Sequence, residues 1–276
     1  MTGIDAFRYD GKRALVVGGA TGMGAATARL VAELGGDVVV MDFAPVEYPV
    51  AAAIQVDLGD RASVDAAVDQ LGDEPVDAVF SAAGIADGPA LMRVNFIGHR
   101  HLIERLLTAG QLGRGAAVCF IASVAGIGWE GELPKLLDFL ASPDYEAADA
   151  WVQARPETNN YMFAKQAINA YVARRALELA KAGVRINAVC PGPTDTPLAR
   201  ANADLWLAFG QEYRAETGLP HHTPEQMANA MGFLNSDAAS GISGVNLLVD
   251  SGHVMSAISG TWDADKPMID LLMGRS

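Results

Sequence analysis

The sequence predicts an α/β fold, a doubly wound parallel sheet of about seven strands in a single domain. Short apolar runs rich in Val, Ile and Ala recur at 13–17, 38–42, 53–56, 78–81, 116–122, 185–189 and 244–249. Most are separated by segments of helical periodicity, such as 24–34, where Ala26, Leu30, Val31 and Leu34 share one face. The runs are near-continuously apolar rather than alternating, which is the pattern of a parallel sheet covered on both faces.

The elements follow in order along 276 residues with no internal repeat, low-complexity tract or linker, so one domain spanning 1–276 is expected. Thr223-Pro224-Glu225-Gln226 reads as N-cap, first-turn proline and capping-box glutamine, and starts a helix. One stretch, 128–160, departs from strand–helix alternation. There Leu133, Leu136, Leu137 and Leu140 form a helical stripe, and Ser142-Pro143 reads as the cap of a second helix carrying Ala148, Trp151 and Val152. A helical insert with an apolar face must cover something.

Composition excludes several functions. A net charge of −13 disfavours nucleic acid and anionic lipid. No apolar run approaches the ~20 residues that span a bilayer, and residues 1–12 show no secretory pattern. The two cysteines, Cys119 and Cys190, sit in apolar strand-like runs and read as free thiols of a reducing, cytoplasmic compartment.

The first strand runs into Gly18-Gly19-Ala20-Thr21-Gly22-Met23-Gly24 and then a helix. Glycines at 18, 22 and 24 permit positive φ and close backbone approach, and the helix N-terminus offers free amides to a pyrophosphate. Asp42 ends the second strand, where a carboxylate accepts hydrogen bonds from ribose hydroxyls and repels a 2′-phosphate. No Lys or Arg occurs in 18–24 or 43–53, so the expected dinucleotide is NAD.

Tyr161 and Lys165 stand four apart at the start of a long helical segment and so share a face. A phenol with a pKa of about 10 acts near neutrality only if its anion is stabilised. One ammonium at ~5 Å, at an effective dielectric near 20, would supply about 3 kcal/mol, roughly two pKa units. The phenol is therefore expected to be lowered in part by Lys165, with a positively charged nicotinamide beside it doing the rest.

Gly18-x-x-x-Gly22-x-Gly24, Asp57 in Val-Asp-Leu, Ser81-Ala-Ala-Gly84, Asn95 in Val-Asn-Phe-Ile-Gly, Ser123 in Ile-Ala-Ser-Val-Ala-Gly, Tyr161-x-x-x-Lys165 and Asn187-Ala-Val-Cys-Pro-Gly-Pro-Thr-Asp-Thr196 occur in that order. In this the chain resembles the classical short-chain dehydrogenase/reductase family, whose Rossmann fold agrees with the strand pattern. The resemblance runs from about Gly11 to Gly252. It implies an NAD-dependent oxidoreductase with Tyr161 as acid/base and Lys165 lowering its pKa and holding the nicotinamide ribose. Ser123 would bind the substrate oxygen and Asn95 a water of a proton relay. Dinucleotide contacts would come from Gly18, Thr21, Gly22, Met23, Gly24, Asp42, Asp57, Leu58, Ala82, Ala83, Gly84, Tyr161, Lys165, Pro191, Thr194 and Thr196; no metal is implied. Val17, Ser81-Ala82 and Ala164 depart from the family's usual Thr, Asn-Asn and Ser, and remove no catalytic atom.

Ser123 and Tyr161 lie much further apart than is usual in the family. This is similar to bacterial 3α-hydroxysteroid dehydrogenase/carbonyl reductases and to aryl-alcohol dehydrogenases. That resemblance implies a hydrophobic alcohol or ketone, a hydroxysteroid first. An aryl or allylic alcohol of the coniferyl type comes second and a 3-oxoacyl substrate third; the alternative outside catalysis is an NAD-binding sensor. A homo-oligomer is expected, with a dimer favoured over a tetramer because the insert enters directly ahead of the Tyr161 helix. Outside these positions, His221-His222 lack a third metal ligand nearby, His99 and His101 face different ways, Trp129 and Trp151 read as packing for the insert, and the charges of 130–149 as a solvated face.

Overall fold

The computed structural model describes residues 3–274; positions 1–2 and 275–276, the ends of the expected domain, lie outside the described residues. Its strands are β1 (Arg13–Val17), β2 (Asp37–Asp42), β3 (Ala52–Gln55), β4 (Ala78–Ser81), β5 (Ala117–Ile121), β6 (Arg185–Pro191) and β7 (Asn246–Val249). All pair in parallel, in the order β3-β2-β1-β4-β5-β6-β7. After β3 the chain crosses back to the other side of β1, so the carboxyl ends of β1 and β4 flank the crevice where doubly wound sheets bind ligands.

Successive residues of each strand feed opposite layers, as the pleat requires. Leu15 and Val17 join Val79, Val118 and Phe120 under α2 (Arg61–Leu71), α3 (Gly98–Thr108) and α6 (Tyr161–Ala182). Ala14 and Val16 join Val38, Val40 and Phe80 under α1 (Gly22–Glu33) and α10 (Pro224–Asn235). Both sides of each central strand are thus dry, which explains the unbroken apolar runs. The α10 start follows its expected capping box, with Thr223 and Gln226 exchanging both bonds.

The 128–160 stretch forms α4 (Leu133–Leu140) and α5 (Tyr145–Gln153). Two local expectations need correction. The cap of α5 is Asp144, whose Oδ1 accepts from Ala147 N at 2.8 Å, not Ser142-Pro143. Ser142 is drawn off instead, its carbonyl accepting from Arg100 Nη2 at 2.6 Å. The buried face of α4 is Leu136, Phe139 and Leu140, with Leu133 and Leu137 only half-buried. Phe139 has the most surface to remove from water, so it turns the helix toward itself. Its ring meets Phe96, Phe163 and Trp151 at 5.5, 5.7 and 5.1 Å. The insert therefore buries its stripe on the chain's own α6 and on the turn before α3.

That turn, Arg93–Ile97, is a π-helical step in which Gly98 N donates to Arg93 O. After β6 come three short helices, α7 (Pro197–Ala201), α8 (Ala203–Trp206) and α9 (Gln211–Thr217). The chain ends in α11 (His253–Ile258) and α12 (Lys266–Leu272), and the α12 end lies so close to Gly128 that a Cβ there would meet Leu272 O at 2.0 Å.

Candidate active site

The glycine loop is built by exclusion. A Cβ on Gly18 (φ +86°) would lie 2.3 Å from Ala83 N, and one on Gly24 would lie 2.0 Å from Gly18 O. Only glycine lets the loop rest against the β4 end and the first turn of α1. Gly18 N donates to Met41 O, and Ala82 N and Ala83 N both donate to Val17 O, tying the ends of β1, β2 and β4 together. His99 adds a brace under the same loop. Burial pushes its imidazole down to about 4, so it is neutral at pH 7 and its Nε2–H donates to Ala83 O at 3.1 Å.

Over this loop lies a cleft of about 270 Å³. Its wall brings together Gly18, Thr21, Gly22, Met23 and Gly24, then Asp42, Asp57 and Leu58, and then Ala82, Ala83 and Gly84, with Thr196 closing the far side. Tyr161, Lys165, Pro191 and Thr194 are not part of that wall. Pro191 ends β6, and Thr194 Oγ1 donates to Gly192 O at 2.9 Å. Phe43, Ile85, Val94 and Leu198 line the cleft without having been expected there. Phe43, 68% exposed, directly follows Asp42, and that adjacency to the strand-end carboxylate is the signal the sequence offered for it. A cradle that a Cβ would fill, with loop amides and a carboxylate at one end, fits a dinucleotide.

Asp42 Oδ2 accepts from Ala20 N at 2.8 Å and Oδ1 from Ala44 N at 2.9 Å, so the carboxylate also holds the loop. Among the described residues no Lys or Arg lines the cleft, and a base that approaches the loop through other residues is on α1. Tyr48 O–H donates to Gly19 O, and Arg29 of α1 lies 4.5 Å over the Tyr48 ring. Arg29 stands five positions past the loop, on the helix rather than on the loop or the strand end.

Ser123 follows β5, and its Oγ accepts from Ala125 N at 3.1 Å. Asn160 caps α6 by accepting from Phe163 N at 2.9 Å, which makes Tyr161 the first helical residue. The Tyr161 phenol faces Ser123, whose hydroxyl favours its anion, and Lys165 lies one turn on, 4% exposed, with Nζ donating to Ile121 O at 2.8 Å. The expected lowering of the phenol is not what the structure shows. Burial pushes Tyr161 up to about 12, against the Ser123 hydroxyl, and pushes Lys165 down to about 8. The ammonium sits 5.4 Å from the ring centroid and is aimed at a carbonyl, so desolvation outweighs the attraction.

Asn95 is placed differently from its three companions. Its Oδ1 accepts from Ile85 N at 2.8 Å and its Nδ2 donates to Ile85 O at 2.9 Å, pinning the loop after β4 to the π-helical turn. Thr196 Oγ1 caps α7 by accepting from Ala199 N. The His pair is engaged locally, His221 Nε2 at Leu207 O and His222 Nε2 at Ser251 Oγ. Trp206 was missed altogether, and its ring packs 4.7 Å from that of Tyr161, tilted by 43°.

A glycine-walled cleft at the crevice of a doubly wound sheet, beside a Ser–Tyr–Lys cluster whose lysine is buried, defines an oxidoreductase of the dinucleotide-binding class. Residues 12–132 match the short chain dehydrogenase family model and 147–254 the enoyl-(acyl carrier protein) reductase model, leaving α4 between them. The chain is 34% identical to cis-4-hydroxycyclohexanecarboxylate dehydrogenase of Sinomonas cyclohexanicum, over 87% of this chain and 95% of that one. It is 26% identical to coniferyl-alcohol dehydrogenase of a Pseudomonas strain, over 87% and 96%. Among solved structures it is similar to the 3α-hydroxysteroid dehydrogenase of Pseudomonas sp. B-0831 complexed with NADH, with a TM-score of 0.71, 27% identity and 91% and 99% coverage. The chain belongs to the short-chain dehydrogenase/reductase family and is an oxidoreductase acting on CH–OH groups. Among the described residues no helix is long and apolar enough to cross a membrane.

Proposed function

We propose that the protein interconverts a hydrophobic secondary alcohol and its ketone with NAD, a hydroxysteroid being the first substrate to test. The observation that carries this reading is that the Tyr161 phenol faces Ser123 with the buried Lys165 one turn below it, its Nζ on Ile121 O. The dinucleotide, when bound, supplies or takes the hydride. Tyr161 exchanges the proton at the substrate oxygen, and Ser123 Oγ donates to that same oxygen. Lys165 holds a cation beneath the phenol. Asn95 keeps the loop after β4 in place, and the waters of any relay would meet the hydrogen-bonding capacity left over by Ile85.

The reading is tested by following NADH absorbance over steroids, aryl alcohols and 3-oxoacyl esters. Tyr161→Phe should lower kcat by several orders of magnitude while NADH binding stays nearly intact, because only the proton-transfer atom is gone. A Tyr161→Phe enzyme that turns over normally would refute it. The coniferyl-alcohol relative favours a second reading, an aryl or allylic alcohol. The two unpaired, buried cysteines suit a cytoplasmic setting, and the packing of α4 on α6 supports a homodimer.

A further inference from the structure

We propose that Trp206 is a specificity-determining wall of the substrate site, placed to stack on the ring of a cyclic or aromatic alcohol, and that Arg214 and His221 position it. The inference rests on Tyr161 being the proton-exchanging group. A substrate oxygen must come within ~2.6–3.2 Å of the phenol oxygen. The carbon skeleton attached to that oxygen then lies beside a phenol whose ring is already 4.7 Å from the indole. Whatever binds at Tyr161 must slide along Trp206 or displace it.

The indole does not owe its place to its own helix. α8 is only four residues long, and nothing within it fixes where its last side chain points. The fixing comes from the next peptide. Leu207 C=O accepts from Arg214 Nη2 and from His221 Nε2, the latter at 3.0 Å. Arg214 Nη1 also donates to Phe209 O at 2.7 Å. Two side chains from beyond α8 thus clamp the carbonyl that follows Trp206.

The rest of the segment is anchored away from the catalytic helix. A Cβ on Gly210 (φ +67°) would meet the His253 ring at 2.6 Å, and Phe209 and Tyr213 pack on that ring at 5.0 and 4.7 Å. His253 Nε2 is in turn paired with Asp265 at 2.8 Å. Among the described residues, Trp206 on Tyr161 is the one aromatic pair that joins this segment to α6. The segment is held by the carboxyl-terminal helices and presents one large flat ring to the reacting phenol. A flat, ring-borne alcohol can cover that face, whereas a short acyclic one touches little of it.

The test compares the wild-type protein with Trp206→Ala, Trp206→Phe and His221→Gln, with circular dichroism confirming that each is folded. Substrates are a 3α-hydroxysteroid, cyclohexanol and 2-butanol. Trp206→Ala should raise KM for the two ring alcohols at least tenfold, change KM for 2-butanol less than twofold and leave NADH affinity alone. Trp206→Phe should keep most of the ring preference. His221→Gln should weaken it severalfold in the wild-type background and add nothing in the Trp206→Ala background. Equal losses on ring and acyclic alcohols, or no loss, would overturn the proposal. Should the wild type oxidise none of these alcohols, the functional reading fails separately, and ligand binding still decides the role of Trp206. The emission lost in Trp206→Phe should then be the component quenched, saturably, by a 3-ketosteroid and not by 2-butanone; no selective quenching would again overturn it.

Discussion

Burial sets the protonation of the groups that would handle the proton. Lys165, held to about 8, is the clearest case. Its folded pKa lies below the unfolded value near 10.5, so the charged form is penalised in the folded chain. That penalty, roughly 3 kcal/mol, is present in full below pH 8 and disappears as pH rises through 8 to 10.5. Lys165→Met should therefore raise Tm by several degrees at pH 7, an increment that fades by pH 10.5, while abolishing turnover; calorimetry at the two pH values reads this out. Tyr161 in the free protein should titrate only near pH 12, seen as a phenolate signal absent from Tyr161→Phe. A cationic nicotinamide nearby should bring that titration down, so repeating it with NAD tests where the missing stabilisation arises. At the other end of the cleft, the wild type should bind NAD at least tenfold more tightly than NADP, about 1.4 kcal/mol. Asp42→Ala should lose that discrimination, and because Asp42 also holds Ala20 N it should weaken both cofactors. Equal wild-type dissociation constants would count against NAD selectivity and would turn attention to Arg29 on Tyr48.

Individual elements show why some of this was legible and some was not. The strands, the glycine loop and the α10 capping box announce themselves through residue type at short spacing, and the structure follows them within a residue or two. The α5 start is ambiguous at that range, since Ser142 and Asp144 are both good caps; Arg100, distant in sequence, takes the Ser142 carbonyl and settles it. The π-helical turn at Asn95 has no local marker. Arg29 over Tyr48, Trp206 over Tyr161 and α12 against Gly128 are contacts between distant segments that no periodicity encodes. The face of α4 was partly legible, for its helix and apolar side were clear but its rotation was set by partners. Phe139, fully buried among Phe96, Phe163 and Trp151, is the test of that packing. Phe139→Ala should destabilise the fold by about 3–5 kcal/mol, whereas Leu137→Ala, only half-buried, should cost clearly less. Urea denaturation of the two variants measures the difference, and equal losses would mean that the leucines rather than the phenylalanine seat the helix.

At the scale of the whole molecule, the insert decides which surfaces remain for a second copy. α4 lies on α6, and α5 lies on the turn that leads into α3, so part of the outer face of α3 and α6 is occupied by the chain itself, while Leu177 further along α6 stays exposed. A second protomer pairing over the part of α6 that α4 covers would displace Leu136, Phe139 and Leu140 into water, at roughly 1.5–3 kcal/mol for each side chain. The opposite end of the sheet offers a different surface. β7 is an edge strand, and beside it α11 and α12 expose Met255, Met268 and Leu271, large apolar side chains at least half open to water. A two-fold dimer closing over β7, α11 and α12 would bury them. Light scattering at micromolar concentration should therefore give a dimer. Leu271→Asp should shift it to monomer without loss of fold, because that side chain is exposed in the single chain. Replacing 130–156 with a short loop should bare the α6 face and convert the dimer to a tetramer. A tetramer formed by the intact protein through α3 and α6 would defeat this account, since it would require α4 to leave the surface on which Phe139 is buried.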